Sequence, residues 1–144
     1  MKKTGTVGFF EPCFFLLFGV FHLHRVWALA DREAYAGFWL RVLAERGPFY
    51  AALSAGLALL CAAGIVCFIR RRQSGERWRW LYVLGGGYVL FDLLAIAAGW
   101  DFWRRLLRAM FDTSAWYWTP LWSAFILMGG ASFGFGAALL LRRR

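Results

Sequence analysis

Three ionisable side chains stand inside long apolar stretches of this sequence: Glu11, His22 and Asp92. A charged group within a membrane span is costly and commonly has a partner or a functional role. Glu11 and His22 are eleven positions apart, which brings both to one face of a helix, within about 20°. His22 and Asp92 each stand about eight residues before the end of their stretch. Both are therefore expected about 12 Å inside the same end.

A contact between His22 and Asp92 is the sharpest chemical hypothesis that these positions allow. A carboxylate beside a histidine favours the ion pair of carboxylate and imidazolium. Such a pair would hold a proton, orient the polar head of a ligand, or only lock two helices together. Glu11, next to Pro12, is expected to cap the first helix, and Arg25 to reach toward lipid phosphates.

Other kinds of site lack the residues that they need. The only histidines are His22 and His24, and side chains two apart on a helix diverge, which excludes a haem held by both. A haem with a single histidine ligand stays open. The cysteines have no metal-site spacing and are expected to be small inert hydrophobes. We therefore expect no metal site and no cofactor. The cysteines are Cys13, Cys61 and Cys67.

The composition indicates the structure that must position these groups. Of the 144 residues, 61% are hydrophobic and 20% aromatic, whereas a soluble domain is about half apolar. Four apolar runs are long enough to cross a bilayer as helices, which takes about 20 residues. They lie near residues 12–30, 49–69, 80–100 and 118–141. The sequence therefore predicts an all-α membrane protein, with residues 1–144 as one four-helix membrane domain.

The net charge of +9 has a topological explanation. Basic clusters precede the first run, separate the second from the third, and follow the fourth, so all three fall on one side of a four-span protein. The positive-inside rule places that side, with both termini, in the cytoplasm. No nucleic-acid partner is expected, and the design is typical of a bacterial inner membrane. The clusters are Lys2 and Lys3; Arg70, Arg71, Arg72, Arg77 and Arg79; and Arg142, Arg143 and Arg144.

The first run also has features of a cleaved signal peptide. Glu11, His22, His24 and Arg25 interrupt its apolar stretch. We therefore expect the first helix to be retained.

The two connecting segments on the opposite, outer side have a helical pattern of their own. In residues 31–46 and 101–113, apolar side chains recur at helical spacing opposite charged ones. This predicts two short amphipathic helices in the outer interface. Phe38–Leu43 also resembles Phe102–Leu107, which suggests a parallel repeat of span, interfacial helix and span. Chance similarity in an aromatic-rich chain is the alternative. The halves would be residues 9–72 and 78–144.

Small residues on the later spans predict close helix packing. Glycines let backbones approach within a membrane, and the positions expected to do so are Gly85, Gly99, Gly130 and Gly134. On the third span, Tyr88 and Asp92 lie along the same helix face as Gly85 and Gly99.

These features favour a binding or transport-like module over an enzyme. It would accept a hydrophobic or amphipathic small molecule, or a lipid, between the first and third helices. One alternative is a non-catalytic subunit that packs against a larger membrane complex or another copy of the chain. A third is an intramembrane lipid-modifying enzyme that uses a His–Asp pair as acid and base. The expected ligand contacts are His22, Asp92, Tyr88, Glu11 and Arg25.

Overall fold

The computed structural model describes residues 8–70 and 77–142, and all regular structure in them is helical. Apolar, β-branched-poor runs favour helices in lipid because a helix satisfies its backbone groups internally. The elements are α1 (Phe10–Leu23), α2 (Val26–Ala30), α3 (Arg32–Glu45), α4 (Pro48–Arg70), a 3-10 turn (Arg77–Arg79), α5 (Trp80–Ala98), α6 (Asp101–Met110) and α7 (Trp118–Leu141).

Four helical segments are long and apolar enough to cross a membrane. They contain 21 residues in α1 with α2, 23 in α4, 22 in the 3-10 turn with α5, and 24 in α7. At 1.5 Å per residue they extend about 32–36 Å, more than the roughly 30 Å of a hydrocarbon core. The predicted fold class is confirmed: the chain is a multi-pass helical membrane protein. The basic residues Lys2, Lys3, Arg71, Arg72, Arg143 and Arg144 lie outside the described residues.

The chain divides into two compact units that do not follow the proposed repeat. Residues 47–103, here the hairpin unit, contain α4 packed against α5. Residues 7–46 and 104–144, here the terminal unit, contain α1 packed against α7. Since each unit takes helices from both sequence halves, the repeat of 9–72 and 78–144 stays a prediction.

In the terminal unit, the backbones of α1 and α7 approach each other at glycines. A Cβ added to Gly19 would lie 2.9 Å from the carbonyl oxygen of Gly129. A Cβ added to Gly129 would lie 2.8 Å from the Cβ of His22. Further along, the hydroxyl of Ser132 donates to the carbonyl oxygen of Phe15 at 2.9 Å. Glycine is thus required here because a side chain would force the helices apart.

The glycines at helix contacts are mostly neighbours of those predicted. A Cβ on Gly130 or Gly134 meets open space within the terminal unit, and Gly129 carries the contact instead. In the hairpin unit a Cβ on Gly86 would lie 3.2 Å from the carbonyl oxygen of Cys61. Gly99 has a different role, because its φ of 67° ends α5 in the left-handed conformation that glycine adopts readily.

The hairpin unit buries one stripe of each helix. Three buried residues on each helix recur three or four positions apart, which is the spacing of a single helical face. The stripes are Cys61, Gly64 and Phe68 on α4, and Tyr82, Gly86 and Val89 on α5.

We expect Gly129→Ala to destabilise the protein by about 1–3 kcal/mol, the usual cost of overpacking. The new methyl group would lie 2.8 Å from the Cβ of His22 and 3.0 Å from the carbonyl oxygen of Gly19. Gly130→Ala is the matched control, because its methyl group meets nothing within 4 Å and alanine is the better helix former. Unfolding in mixed micelles of increasing SDS content measures both, and equal stability of the two variants would contradict the packing described.

Candidate functional site

The first membrane span is interrupted by a turn that carries two polar side chains. Helix α1 ends at Leu23 and α2 begins at Val26, so His24 and Arg25 lie between them. The backbone tightens there: the amide of Arg25 donates to the carbonyl of His22, three residues back, at 3.2 Å. Such i−3 bonds keep backbone groups satisfied where a helix changes direction. Because the helix is broken, side-chain directions assumed for a continuous helix do not apply here.

The guanidinium of Arg25 is surrounded by aromatic rings of its own unit. Its central carbon lies 4.5 Å from the ring centre of Phe125, 5.2 Å from that of Phe21 and 5.9 Å from that of Trp122. These are cation–π distances. The guanidinium also forms a side-chain hydrogen bond with Tyr35. The expected reach of Arg25 toward lipid phosphates is therefore not what the structure shows, since aromatic contacts turn the group into the protein.

His24 lies beside this cation and has one nitrogen with no described partner. Its ring centre is 5.3 Å from that of Trp39 and 6.0 Å from that of Tyr35. Its Nδ1 donates to the carbonyl oxygen of Phe21. Its Nε2 is buried and finds no hydrogen-bond partner among residues 8–70 and 77–142.

Trp122 contributes a second buried polar atom, its indole N–H. The residue is only 2% exposed, and its ring centre lies 5.1 Å from that of Tyr35. Within the described part of the chain, its indole N–H also has no hydrogen-bond partner. We call His24, Arg25, Tyr35, Trp39 and Trp122 the His24 cluster.

Tyr35 stands at the centre of this cluster and is held there by α3. The helix begins after Asp31, whose carboxylate accepts from the amide of Ala34 at 2.9 Å, a standard N-cap. Burial raises the pKa of Tyr35 to about 12, although the neighbouring Arg25 opposes the shift. Tyr35 is consequently a neutral phenol at any ordinary pH, and it acts by packing and hydrogen bonding.

Polar bonds fix α3 over the cluster. The guanidinium of Arg32 donates to the hydroxyl of Thr119 at 2.9 Å. From the other side, the hydroxyl of Thr113 donates to the carboxylate of Glu33 at 2.5 Å. Below them, the indole N–H of Trp118 donates to the carbonyl oxygen of Ala28 at 2.8 Å. The segments 28–36 and 113–119 are therefore bonded to each other next to the cluster.

The two histidines and Asp92 have local partners within their own units. His22, 1% exposed, stacks on Phe18 with ring centres 4.4 Å apart, and its Nδ1 bonds to the carbonyl oxygen of Phe18 at 3.1 Å. Asp92 belongs to the hairpin unit, where its carboxylate accepts from the indole N–H of Trp103 at 2.5 Å. A pair between His22 and Asp92 stays a prediction.

The remaining predicted contacts lie elsewhere. Glu11 is fully buried in the first turn of α1, and its carboxylate accepts from the amide of Gly8 at 2.5 Å. Tyr88 is on an exposed position of the hairpin unit. Of the five predicted ligand contacts, Arg25 is in the His24 cluster, and His22 adjoins it through Phe125, 6.1 Å between ring centres.

Sequence reasoning missed most of the His24 cluster. Its members come from α3, α7 and the turn after α1, so no local spacing connects them. The available signal was the density of polar residues around His24 and Arg25, with no proline or glycine nearby to mark the turn. Among residues 8–70 and 77–142, no group of three His, Cys, Asp or Glu side chains would hold a metal ion. The cluster is equipped instead for hydrogen bonding and cation–π contact.

Replacing Trp118 by Phe is expected to cost about 1 kcal/mol more stability than replacing Trp122 by Phe. Both changes remove the same ring area, but only Trp118 donates a hydrogen bond, to Ala28, and losing one bond costs about that much. Thermal unfolding of the delipidated proteins in one detergent measures the difference. A larger loss for Trp122→Phe would contradict the bonding described.

The bond from Trp103 to Asp92 is tested by a double-mutant cycle. We expect Trp103→Phe to destabilise the wild-type protein by about 1 kcal/mol, within the range measured for hydrogen bonds between membrane helices. In an Asp92→Leu background the same change should cost almost nothing, because the acceptor is gone. Equal costs in the two backgrounds would show that the bond does not contribute.

The chain was compared with known families, proteins and structures. No protein-family model, no characterised protein and no solved structure matches it. The chain itself has four apolar spans and, in the terminal unit, a cluster of polar and aromatic side chains.

Proposed function

We propose that this multi-pass membrane protein binds an amphipathic small molecule or lipid whose polar head is received by the His24 cluster. The observation that carries the proposal is the pair of buried polar atoms, Nε2 of His24 and Nε1 of Trp122, that have no partner in the described residues. A buried polar group without a hydrogen bond costs about 1–3 kcal/mol. A bound head that supplied both bonds would remove that cost.

The surroundings of these atoms support a ligand of mixed character. Ligand sites are mostly apolar, with a few polar groups that fix orientation, and aromatic rings make up most of this cluster. His24, Arg25 and Trp39 are half-buried, so the cluster reaches the surface of the terminal unit. Next to it, α1 and α2 present exposed apolar side chains, among them Val20 and Val26. The tail of an amphipathic ligand would lie along such a surface.

The proposal moves the site from the one expected between the first and third helices. Tyr88 and Asp92 belong to the hairpin unit, in which the carboxylate of Asp92 accepts from Trp103. Arg25 keeps its expected role as a ligand contact, with aromatic rings holding its guanidinium in place.

A second candidate function is that of a non-catalytic subunit of a larger membrane complex. It is favoured by Gly130 and Gly134, which leave open space along α7 within the terminal unit. A small-xxx-small pair of this kind suits contact with a further helix. Under this alternative the partner is a membrane protein, or a second copy of the chain.

Lipid retention tests the proposed function. We expect wild-type protein, purified in a mild detergent and examined by native mass spectrometry, to carry a bound lipid or small amphiphile. Adding membrane lipid extract to delipidated protein should raise its melting temperature by several degrees, as mass action requires for a ligand at about ten times its Kd.

His24→Leu should abolish both effects, since it removes the polar atom and leaves an apolar side chain. Trp100→Leu in the hairpin unit is the control and should leave both unchanged. Equal retention and equal stabilisation in wild type and His24→Leu would refute the proposal. Stable co-purification of a membrane protein partner in place of a lipid would favour the second candidate.

A further inference from the structure

We infer that the head received by the His24 cluster is a neutral hydroxyl group, as in a quinol, a diacylglycerol or a polyprenol. This inference rests on the proposed function and specifies the chemistry of its ligand. It follows from the hydrogen-bonding character of two of the buried cluster atoms that have no hydrogen-bond partner in the described residues, Nε2 of His24 and Nε1 of Trp122.

The first atom requires a donor. A carbonyl oxygen can only accept a hydrogen bond, so the bond between Nδ1 of His24 and the carbonyl of Phe21 places the ring proton on Nδ1. Burial beside the cationic Arg25 disfavours a second positive charge, so the imidazole is neutral and its other nitrogen has a lone pair and no proton. The buried Nε2 of His24 is therefore an acceptor, and the group that satisfies it must donate.

The second atom requires an acceptor. The indole nitrogen of Trp122 can only donate, and it too is buried without a partner in the described residues. Both rings lie against Tyr35, with centres 6.0 Å and 5.1 Å from it. A head that occupies this place must therefore both donate and accept.

A hydroxyl meets that requirement as a single uncharged group, whereas heads that only accept hydrogen bonds do not. A hydroxyl has one donor proton and two acceptor lone pairs, so one or two hydroxyls on a single head would serve both His24 and Trp122. An ionised carboxylate, a phosphodiester or a quinone carbonyl only accepts, and each would leave the histidine nitrogen unmatched. An anionic head is the main rival, because the cluster itself contains the cation Arg25.

Two pairs of probes test the inference: the quinol and quinone differ in donor capacity, and the glycerol lipid and phosphatidic acid contrast a neutral hydroxyl with an anionic head. Delipidated protein in phosphatidylcholine nanodiscs is titrated with decylubiquinol against decylubiquinone, and with dioctanoylglycerol against dioctanoyl phosphatidic acid. We expect at least one hydroxyl-headed probe to bind about tenfold or more tightly than its counterpart, as one buried hydrogen bond allows. The two pairs separate a quinol from an aliphatic alcohol as the source of the hydroxyl.

Substitutions of similar shape test which protein atoms cause the preference for a hydroxyl probe. His24→Asn keeps a donor near Nδ1 and removes the acceptor at Nε2, whereas His24→Gln keeps an acceptor near Nε2. We expect Asn to lose the tenfold preference and Gln to retain much of it. Trp122→Phe should weaken the hydroxyl probe about tenfold, and Trp118→Phe, whose N–H already bonds to Ala28, should not.

Each outcome separates this inference from the function on which it rests. Tighter binding of phosphatidic acid, lost in Arg25→Gln, would overturn the hydroxyl head and keep a ligand-binding protein. Stabilisation by lipid extract without any preference within the probe pairs would do the same. Failure of the lipid extract and of every probe to stabilise the wild-type protein would overturn the proposed function, and this inference with it.

Discussion

The close approach of α1 to α7 determines where the polar residues of the terminal unit lie. Gly129 of α7 admits the Cβ of His22, and Gly19 meets the carbonyl of Gly129 in return. The two helices are antiparallel, so residues just after His22 face residues just before Gly129. Arg25 is thus brought against Phe125 and Trp122, which are one and two turns from Gly129. A side chain at this contact would displace the cation from its aromatic surroundings.

The turn between α1 and α2 is the second requirement. In lipid every backbone polar group needs a partner within the protein, and here i−3 bonds supply most of them. The side chain of His24 takes part as well, since its Nδ1 bonds to the carbonyl of Phe21. This local bond fixes the protonated nitrogen and leaves Nε2 as the acceptor on which the proposed site depends. The same hydrogen bond therefore satisfies a backbone carbonyl and determines the hydrogen-bonding character of the proposed site.

The spans and the helices of the connecting segments were predictable because each rests on a local pattern. Long apolar runs and helical spacing gave all four spans, together with α3 and α6. Which glycine of α7 faces α1 was not predictable from the sequence. Gly129 and Gly130 are adjacent, and only the packing of the two helices decides between them. The site was found in part: Arg25 was predicted, whereas Tyr35 and Trp122 join it only through folding of distant segments.

Two tryptophans on the helices of the connecting segments lie against polar residues of the preceding spans. Trp39 of α3 folds back against His24 of the preceding span, with ring centres 5.3 Å apart. Trp103 of α6 folds back against Asp92 of its own preceding span and donates to the carboxylate. Carboxylate and indole satisfy each other, so that position stabilises helix contact. His24 has a buried Nε2 with no hydrogen-bond partner in the described residues, which is why the proposed site lies at His24 and not at Asp92.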